Sequence, residues 1–219
     1  MKVTVRKEPI RQILKWSQWA LFACAILLLG YCAFVLADAW LFQRRAARDL
    51  DRLQHDRRAA NQVTPQPVSV TSPKVAPAVA GSLIGRIEIP RLLLSVIVVE
   101  GVDRTSLRRA VGHIPGTALP GNPGNVGLAG HRDTFFRPLK DVKIKDEIQI
   151  STLKGNFKYE VVSLRIVEPE NVGVLAPSGE NVLTLVTCYP FYFVGPAPKR
   201  WIVRANQVSS QTVASSNMK

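Results

Sequence analysis

The sequence predicts a mainly β domain, either a closed barrel or a sandwich, that follows one transmembrane helix and a linker. Three observations carry this prediction. Residues 16–37 contain no charged side chain, residues 59–80 are rich in proline, and the chain after residue 81 alternates short apolar runs with turns. A chain of 219 residues is the right length for one domain with appendages.

The apolar segment reads WSQWALFACAILLLGYCAFVLA from residue 16 to residue 37. About 20 apolar residues cross a bilayer as a helix. Trp16, Trp19 and Trp40 lie near the two ends, where interfacial aromatic residues are typical. Ala37-Asp38-Ala39 has the form of a signal-peptidase site, but the apolar run exceeds the 7–15 residues usual in signal peptides. We therefore expect an uncleaved anchor.

Basic residues flank the anchor on both sides, so the positive-inside rule leaves its orientation open. Residues 1–80 hold 12 basic and 5 acidic side chains. They therefore contribute +7 to the net charge of the whole chain, which is +13. This excess makes an anionic lipid surface a plausible partner. Nucleic-acid binding would require basic residues interleaved with stacking aromatics on one face, and the sequence has no such array, so no nucleic-acid partner is expected.

Residues 38–80 are expected to join the anchor to the domain. QRRAARDLDRLQHDRR, residues 43–58, predicts a polar helix continuing from the anchor, with His55 solvated. Residues 59–80 have four prolines and no periodicity, which predicts an extended linker that reaches roughly 70 Å. The domain is thus expected at some distance from the membrane.

The domain is predicted over residues 81–208, with a frayed tail at 209–219. A short helix is expected near 104–110, a turn near 137–142 and a hairpin at Lys154-Gly155-Asn156. Seven or eight strands in about 125 residues are typical of a barrel or sandwich. The predicted strands are 83–89, 93–99, 125–130, 146–151, 156–167, 181–188 and 199–206.

Cys188 ends one of these strands, TLVTC, and Pro190 follows it. Cys24 and Cys32 lie in the apolar segment, where they act as small hydrophobic residues, so Cys188 has no disulfide partner. A thiol at a strand end beside a loop can meet a substrate. The alternative at this point is a buried structural cysteine.

Two further groups are candidates to lie near the thiol. His131 closes the apolar strand NVGLAG as Cys188 closes its own, so both side chains are expected at one rim. Arg200 begins the strand after the Cys188 loop and shares a face with Arg204. An imidazole and a fixed cation favour the thiolate that nucleophilic attack requires. A positioned guanidinium also stabilises the charge that develops on a carbonyl oxygen.

TLVTC at 184–188, with Gly130-His131 upstream and an arginine twelve residues downstream, closely resembles the sortase family. The stretch GHIPGTALPGNPGNVGLAGHRDTFFRPL, residues 112–139, is similar to the sortases called class D. The resemblance covers roughly residues 83–206. It implies an eight-stranded barrel in which His131, Cys188 and Arg200 are the catalytic residues.

The resemblance also implies an activity and a location. Sortases are extracytoplasmic cysteine transpeptidases that cut an LPxTG-like sorting signal on a secreted protein and pass the acyl group to an amine on a cell-wall precursor or a pilin. Residues 1–15 would then be the cytoplasmic N-terminus of a single-pass membrane protein.

Other residues near these motifs are weaker candidates. Thr187, Tyr189 and His113 are possible substrate contacts, although Thr187 is as well explained by packing and His113 by solvation in a Gly- and Pro-rich loop. Asp133 is a candidate to orient His131, and Arg204 is the rival of Arg200; motif spacing favours Arg200.

No cofactor and no metal are expected. The acidic residues considered as a calcium site have no recognisable ligand spacing. They are Asp146, Glu147, Glu168 and Glu170. A non-enzymatic membrane-tethered barrel that presents a binding surface stays open as an alternative, as does a papain-like hydrolase with water as acceptor.

Overall fold

The computed structural model describes residues 7–63 and 79–212. A long helix, α1 (Lys7–Val63), precedes eight strands and one further short helix, α2 (Arg104–Arg109). Three 3₁₀ turns lie at Pro90–Leu92, Arg137–Asp141 and Val172–Leu175. The strands are β1 (Leu83–Ile89), β2 (Leu94–Glu100), β3 (Val111–His113), β4 (Asn125–Ala129), β5 (Glu147–Thr152), β6 (Gly155–Val167), β7 (Val182–Tyr189) and β8 (Lys199–Thr212).

The strands close into one barrel in the order β1-β2-β3-β4-β7-β8-β6-β5. Alternate side chains point inward and fill the interior, as period-two strands require. On β7, for example, Leu183 and Leu185 are fully buried in the core with Val203 of β8. The closed barrel confirms the predicted fold class and leaves no open sheet edge along most of its length.

The predicted strands match seven of the eight observed ones to within a few residues. The strand that the sequence did not predict is β3, which is only three residues long. β8 runs to Thr212, beyond the expected domain end at 208, because it pairs with the start of β6 at Gly155. The short helix predicted near 104–110 is α2, and the turn predicted near 137–142 is a 3₁₀ turn.

The chain divides into two compact units, the first ending at Leu41 and the second beginning at Phe42. The first unit contains most of the exposed apolar part of α1, in which Trp16 and Leu27 are 78% and 73% exposed. Within the described chain, α1 is long and apolar enough to cross a membrane by length and composition. The helix α1 is described as far as Val63, so residues 59–63, which were expected in the linker, are helical, and the rest of that predicted linker lies largely outside the described residues.

The last part of α1 belongs to the second unit and packs on the outside of the barrel. Leu50 is 1% exposed and lies against Ile97, Val99 and Ala110. The Gln43 side chain bridges two elements, since its Oε1 accepts from Ile97 N at 2.9 Å and its Nε2 donates to Arg109 O at 2.6 Å. The polar composition of residues 43–58 predicted the helix but not this packed face. His55 is exposed, as expected.

Leu50→Ala is expected to destabilise the barrel by about 3 kcal/mol, because it removes a fully buried side chain from a site that cannot collapse completely. The measurement is thermal unfolding of the full chain in detergent. Leu53→Ala on the same helix is the matched control, since Leu53 is 45% exposed, and it should shift the transition little. Equal shifts for the two variants would show that α1 does not support the barrel.

The acidic residues considered as calcium ligands are engaged elsewhere. Asp146, Glu147 and Glu168 pair with Arg91, Lys158 and Lys199 respectively. Within the part of the chain that the structure describes, no group of three His, Cys, Asp or Glu side chains is arranged to hold a metal ion.

Asp146 links the β1–β2 turn to the start of β5. Its two carboxylate oxygens accept from Nε and Nη2 of Arg91, each at 2.5 Å, and Oδ2 also accepts from Lys143 N at 2.8 Å. The Arg91 hydrogen bonds lower the pKa of Asp146, with the backbone bond from Lys143 adding to the effect. The carboxylate is nearly buried, at 7% exposed.

The folded-state pKa of Asp146 lies below its unfolded value of about 4. The ionised carboxylate therefore contributes fully to the free energy of unfolding above pH about 4, and this contribution is lost as the pH falls through the folded-state pKa. Asp146→Asn is expected to cost about 2 kcal/mol at neutral pH. The difference between the variant and the parent should shrink below pH about 4. Urea unfolding at several pH values measures it; a difference that is constant with pH would contradict the role assigned to this carboxylate.

Candidate active site

Cys188 lies near the end of β7, on the outer face of the barrel. Side chains 182, 184, 186 and 188 alternate with the inward Leu183 and Leu185, so the thiol points away from the core. It is partly buried and is a free thiol. β7 is a central strand with β4 on one side and β8 on the other, which fixes its register on both sides.

Arg200 lies directly beside Cys188 in the β7–β8 ladder. The two residues are register partners, and paired residues in a sheet place their side chains on the same face. The Arg200 guanidinium is partly buried, and its Nη1 donates to Ala197 O at 3.2 Å and to Lys199 O at 3.1 Å. Arg204, the rival candidate, is paired with Thr184 instead, four residues along β7 from the thiol.

His131 lies on the other side of Cys188, past the end of β4. β4 and β7 are parallel, with Ala129 paired to Val186, so continuing the register by two residues brings His131 level with Cys188. The pairing does continue, since Gly130 N donates to Val186 O at 3.2 Å. His131 is exposed, and its carbonyl accepts from Phe136 N at 3.0 Å, which closes a tight turn immediately after it.

Gly130 is required for this turn. A Cβ at position 130 would lie 2.8 Å from two ring carbons of the buried Phe136. Any larger residue would push the ring, or the turn, aside, and the His131 backbone would move with it. The Gly-His pair is therefore a packing requirement as well as a motif.

Thr187 joins the ends of β4 and β7. Its hydroxyl donates to Gly130 O at 2.8 Å, and the residue is 2% exposed. The structure thus gives Thr187 the packing role that was the alternative, and a contact between Thr187 and substrate stays a prediction. Because the bond lies one residue before Cys188 and one before His131, it holds the two strand ends together.

Thr187→Val is expected to lower stability by about 1 kcal/mol, since it leaves a buried carbonyl without its donor. It should also lower the rate of the Cys188 reaction by roughly tenfold, because misplaced reacting groups react slowly. Thr187→Ser keeps the hydroxyl and should retain most of both properties. If the valine variant matches the parent in thermal unfolding and in kcat/KM, the bond does not position the site.

His113 is not a solvated loop residue, as the sequence had suggested. It ends β3, is 2% exposed, and its Nδ1 lies 2.8 Å from Oε2 of the buried Glu100. Its Nε2 lies 3.0 Å from both Thr117 Oγ1 and Ala118 O. Both ring nitrogens of His113 thus have hydrogen-bond partners inside the barrel. His113 is paired with Leu128, three residues before His131 in the chain, so it is not placed to contact a substrate at Cys188.

Tyr189 is also used in packing. Its ring stacks on Trp201 with the centroids 6.0 Å apart, and it meets the edge of Phe191 at 6.1 Å. Phe191 and Trp201 pack against the core from the end of the barrel. Tyr189 is half-buried, so part of it faces the surface near Cys188. Asp133 is exposed two residues beyond His131.

Asn125, at the start of β4, was not selected by the sequence analysis. Its Nδ2 donates to Val174 O and Ala176 O, at 3.1 and 3.2 Å, and its Oδ1 accepts from Thr184 Oγ1 at 2.7 Å. It fixes the β6–β7 loop against the outer face of β4 and β7. Thr184, the first threonine of TLVTC, thereby has a structural function.

The register of β4, β7 and β8 therefore brings His131, Cys188 and Arg200 level with one another at one rim of a closed eight-stranded mixed barrel. This combination defines a class of cysteine acyl-transfer enzymes. A model of the sortase domain matches residues 87–208, more than half of the chain, and the chain belongs to the sortase family. Members of this family are cysteine transpeptidases.

Known relatives agree with this assignment. Sortase D from Bacillus subtilis (strain 168) is 36% identical over 130 residues, which cover 59% of this chain and 66% of that protein. Sortase SrtE1 from Streptomyces coelicolor is 34% identical over 123 residues, covering 48% of this chain and 35% of that protein. The chain thus spans less than two thirds of the length of either relative.

A solved sortase shows the same fold. The structure of a Clostridium perfringens Sortase D5 transpeptidase superposes with a TM-score of 0.61, covers 77% of this chain and 99% of that one, and is 24% identical. The class D-like resemblance read from the motifs is consistent with these matches.

Proposed function

We propose that this chain is a membrane-anchored cysteine transpeptidase that cleaves an LPxTG-like sorting signal and transfers the acyl group to an amine. The observation that supports the proposal is the register of β4, β7 and β8, in which Arg200 is the ladder partner of Cys188 and the β4–β7 register, continued by two residues, brings His131 level with it. Membership of the sortase family supports the reaction class.

The first half of the reaction forms a thioester. The Cys188 thiolate attacks the carbonyl carbon of the scissile peptide bond, and the developing oxyanion accepts hydrogen bonds from Arg200 and nearby donors. The carbon–nitrogen bond then breaks as His131, in its protonated form, gives its proton to the leaving amine. The product is an acyl group on Cys188 Sγ.

The second half reverses these roles with a new amine. The incoming amine loses a proton to the neutral His131 imidazole and attacks the thioester carbonyl. The carbon–sulfur bond breaks, and Cys188 leaves as the thiolate. We propose as acceptor an amine of a cell-wall precursor or a pilin lysine, and as donor a secreted protein with a C-terminal sorting signal.

The apolar part of α1 supports anchoring, and we propose a cytoplasmic N-terminus with the barrel outside. The segment has the length and composition of a membrane span. A free, partly buried thiol is reasonable outside the cytoplasm when it is a nucleophile with no partner in the barrel. Labelling of Cys188 in intact cells by a membrane-impermeant thiol reagent tests the orientation, with Cys24 and Cys32 replaced by Ser to remove their signal.

The decisive experiment incubates the full chain in detergent with a peptide library built on an LPxTG-like core. We expect a covalent adduct on Cys188 with the mass of the acyl fragment, and cleavage between Thr and Gly or the equivalent pair. When an amine is added, we expect the amine-linked peptide to replace the hydrolysed peptide as the main product. Adduct formation without amine transfer would indicate a hydrolase, and no adduct with any peptide would favour a non-enzymatic binding module.

A further inference from the structure

The loop between β7 and β8, residues 190–198, crosses the end of the strand that bears Cys188. It leaves and returns at the last rung of the β7–β8 ladder, where Tyr189 pairs with Lys199. Its middle nevertheless contacts Arg132 and Lys140, which follow β4 on the opposite side of β7. The loop therefore spans from the Arg200 side of the site to the His131 side.

Arg132, the residue after His131, holds the middle of this loop. Its Nη2 donates to Phe193 O at 2.7 Å and to Gly195 O at 3.0 Å. Its Cζ lies 5.9 Å from the centroid of the Phe193 ring, within cation–π range. The guanidinium is partly buried, and its Nη1 is buried with no hydrogen-bond partner among the described residues.

Lys140 makes a second, weaker attachment. Its Nζ donates to the Tyr192 hydroxyl at 2.8 Å and lies 5.5 Å from the centroid of that ring. The Tyr192 hydrogen bond is the main cause of a raised Lys140 pKa, with the charge of Asp141 adding to it. Lys140 is carried by the 3₁₀ turn Arg137–Asp141, which the buried Leu139 fixes to the core.

The C-terminal end of the same loop contacts Arg200. Arg200 Nη1 donates to Ala197 O and Lys199 O, so the loop backbone sets where this guanidinium lies beside Cys188. Two arginines thus hold three carbonyls of this loop, at residues 193, 195 and 197, and the carbonyl of Lys199 at the start of β8. Without the first arginine, the middle of the loop keeps only the Lys140–Tyr192 attachment among these contacts.

We propose that Arg132 is a positioning residue for transpeptidation. It ties the β7–β8 loop to the segment that carries His131, and so makes the loop a fixed wall of the peptide groove and a fixed support for Arg200. This inference rests on the proposed function for its effect on rate, but the attachment itself is a property of the folded chain. Arginine is suited to the task because one planar head donates to two carbonyls and stacks on a ring.

Hydrogen exchange of the full chain in detergent tests the attachment without any substrate. In Arg132→Ala, the amides of residues 192–195 should exchange about tenfold faster than in the parent, because two charge-assisted hydrogen bonds are lost. Arg132→Lys retains one donor group near the carbonyls, so its exchange rates should lie between those of Arg132→Ala and those of the parent. Arg137→Ala, an exposed arginine of the same segment, is the matched control and should exchange like the parent.

Kinetics with the sorting peptide test the consequence. Arg132→Ala is expected to raise KM by about tenfold and to lower kcat less, since the groove wall is lost while Cys188 and His131 stay in place. Tyr192→Phe removes only the second attachment and should change KM by less than Arg132→Ala does. Combining the two changes should be non-additive, because both act on one loop.

Parent-like exchange at residues 192–195 in Arg132→Ala overturns the inference, as does faster exchange with an unchanged KM. If the parent chain forms no peptide adduct at all, the proposed function fails, and the exchange experiment still decides whether Arg132 holds the loop. Partial recovery of KM in Arg132→Lys separates loss of the attachment from loss of the fold.

Discussion

Cys188→Ala is expected to abolish peptide cleavage and transfer, with a loss on the order of 10⁴-fold or more in kcat, because no other group in the site can form the acyl intermediate. The fold should be retained, since the side chain points outward from the barrel and is only partly buried. Peptide binding should persist in this variant. Product formation by mass spectrometry, together with thermal unfolding, measures both outcomes.

The chain supplies its own control for this experiment. Cys24 and Cys32 are the other free thiols, and both lie in the exposed apolar part of α1. The double variant Cys24→Ser/Cys32→Ser should keep full activity and should still be inactivated by a thiol reagent. A Cys188→Ala variant with substantial activity, or a parent enzyme that survives alkylation of Cys188, would remove the nucleophile from the proposed mechanism.

The fold was predictable because most of its strands are long enough to show a pattern. β7 reads as an apolar run on both faces, which a central strand buried by its neighbours requires. β3 has three residues, including Gly112, and nothing in so short a segment distinguishes a strand from a loop. It is stabilised by its neighbours, since it pairs with both β2 and β4.

The packing of α1 on the barrel was not predictable for a different reason. A single leucine at position 50 and small alanines at positions 46 and 47 form the apolar face, among eleven charged or amide side chains in residues 43–58. The glutamine that bridges β2 and α2 is indistinguishable in sequence from a solvated one. Such a face is recognisable only when its partner surface is known.

The three candidate catalytic residues were found because each sits at a strand end and a motif gives the spacing. Their roles remain proposals, but their convergence on one rim follows from the strand order. The residues that hold them were harder to find. Thr187 and His113 were candidate substrate contacts with packing and solvation as the alternatives, because a buried hydrogen bond to a carbonyl, or to a distant glutamate, leaves no local pattern in the sequence.

Arg200→Ala is expected to lower kcat by on the order of 10²-fold, the usual loss when one donor to a developing oxyanion is removed. The reason is its place in the ladder, directly opposite Cys188, where we propose that the guanidinium donates to the oxyanion of the bound peptide. Arg200→Lys keeps the charge but not the planar set of donors, and it should recover only part of the rate. Steady-state kinetics with a fluorogenic sorting peptide provides the measurement.

Arg204→Ala is the matched control, because Arg204 lies on the same face of the same strand and is also partly buried. It is paired with Thr184, four residues before the nucleophile in β7, so its removal should leave kcat within about twofold of the parent. The contrast between the two arginines depends only on register, since charge, strand and face are shared. Equal losses in the two variants would mean that a general positive field drives the reaction, and a larger loss at Arg204 would transfer the oxyanion role to that residue.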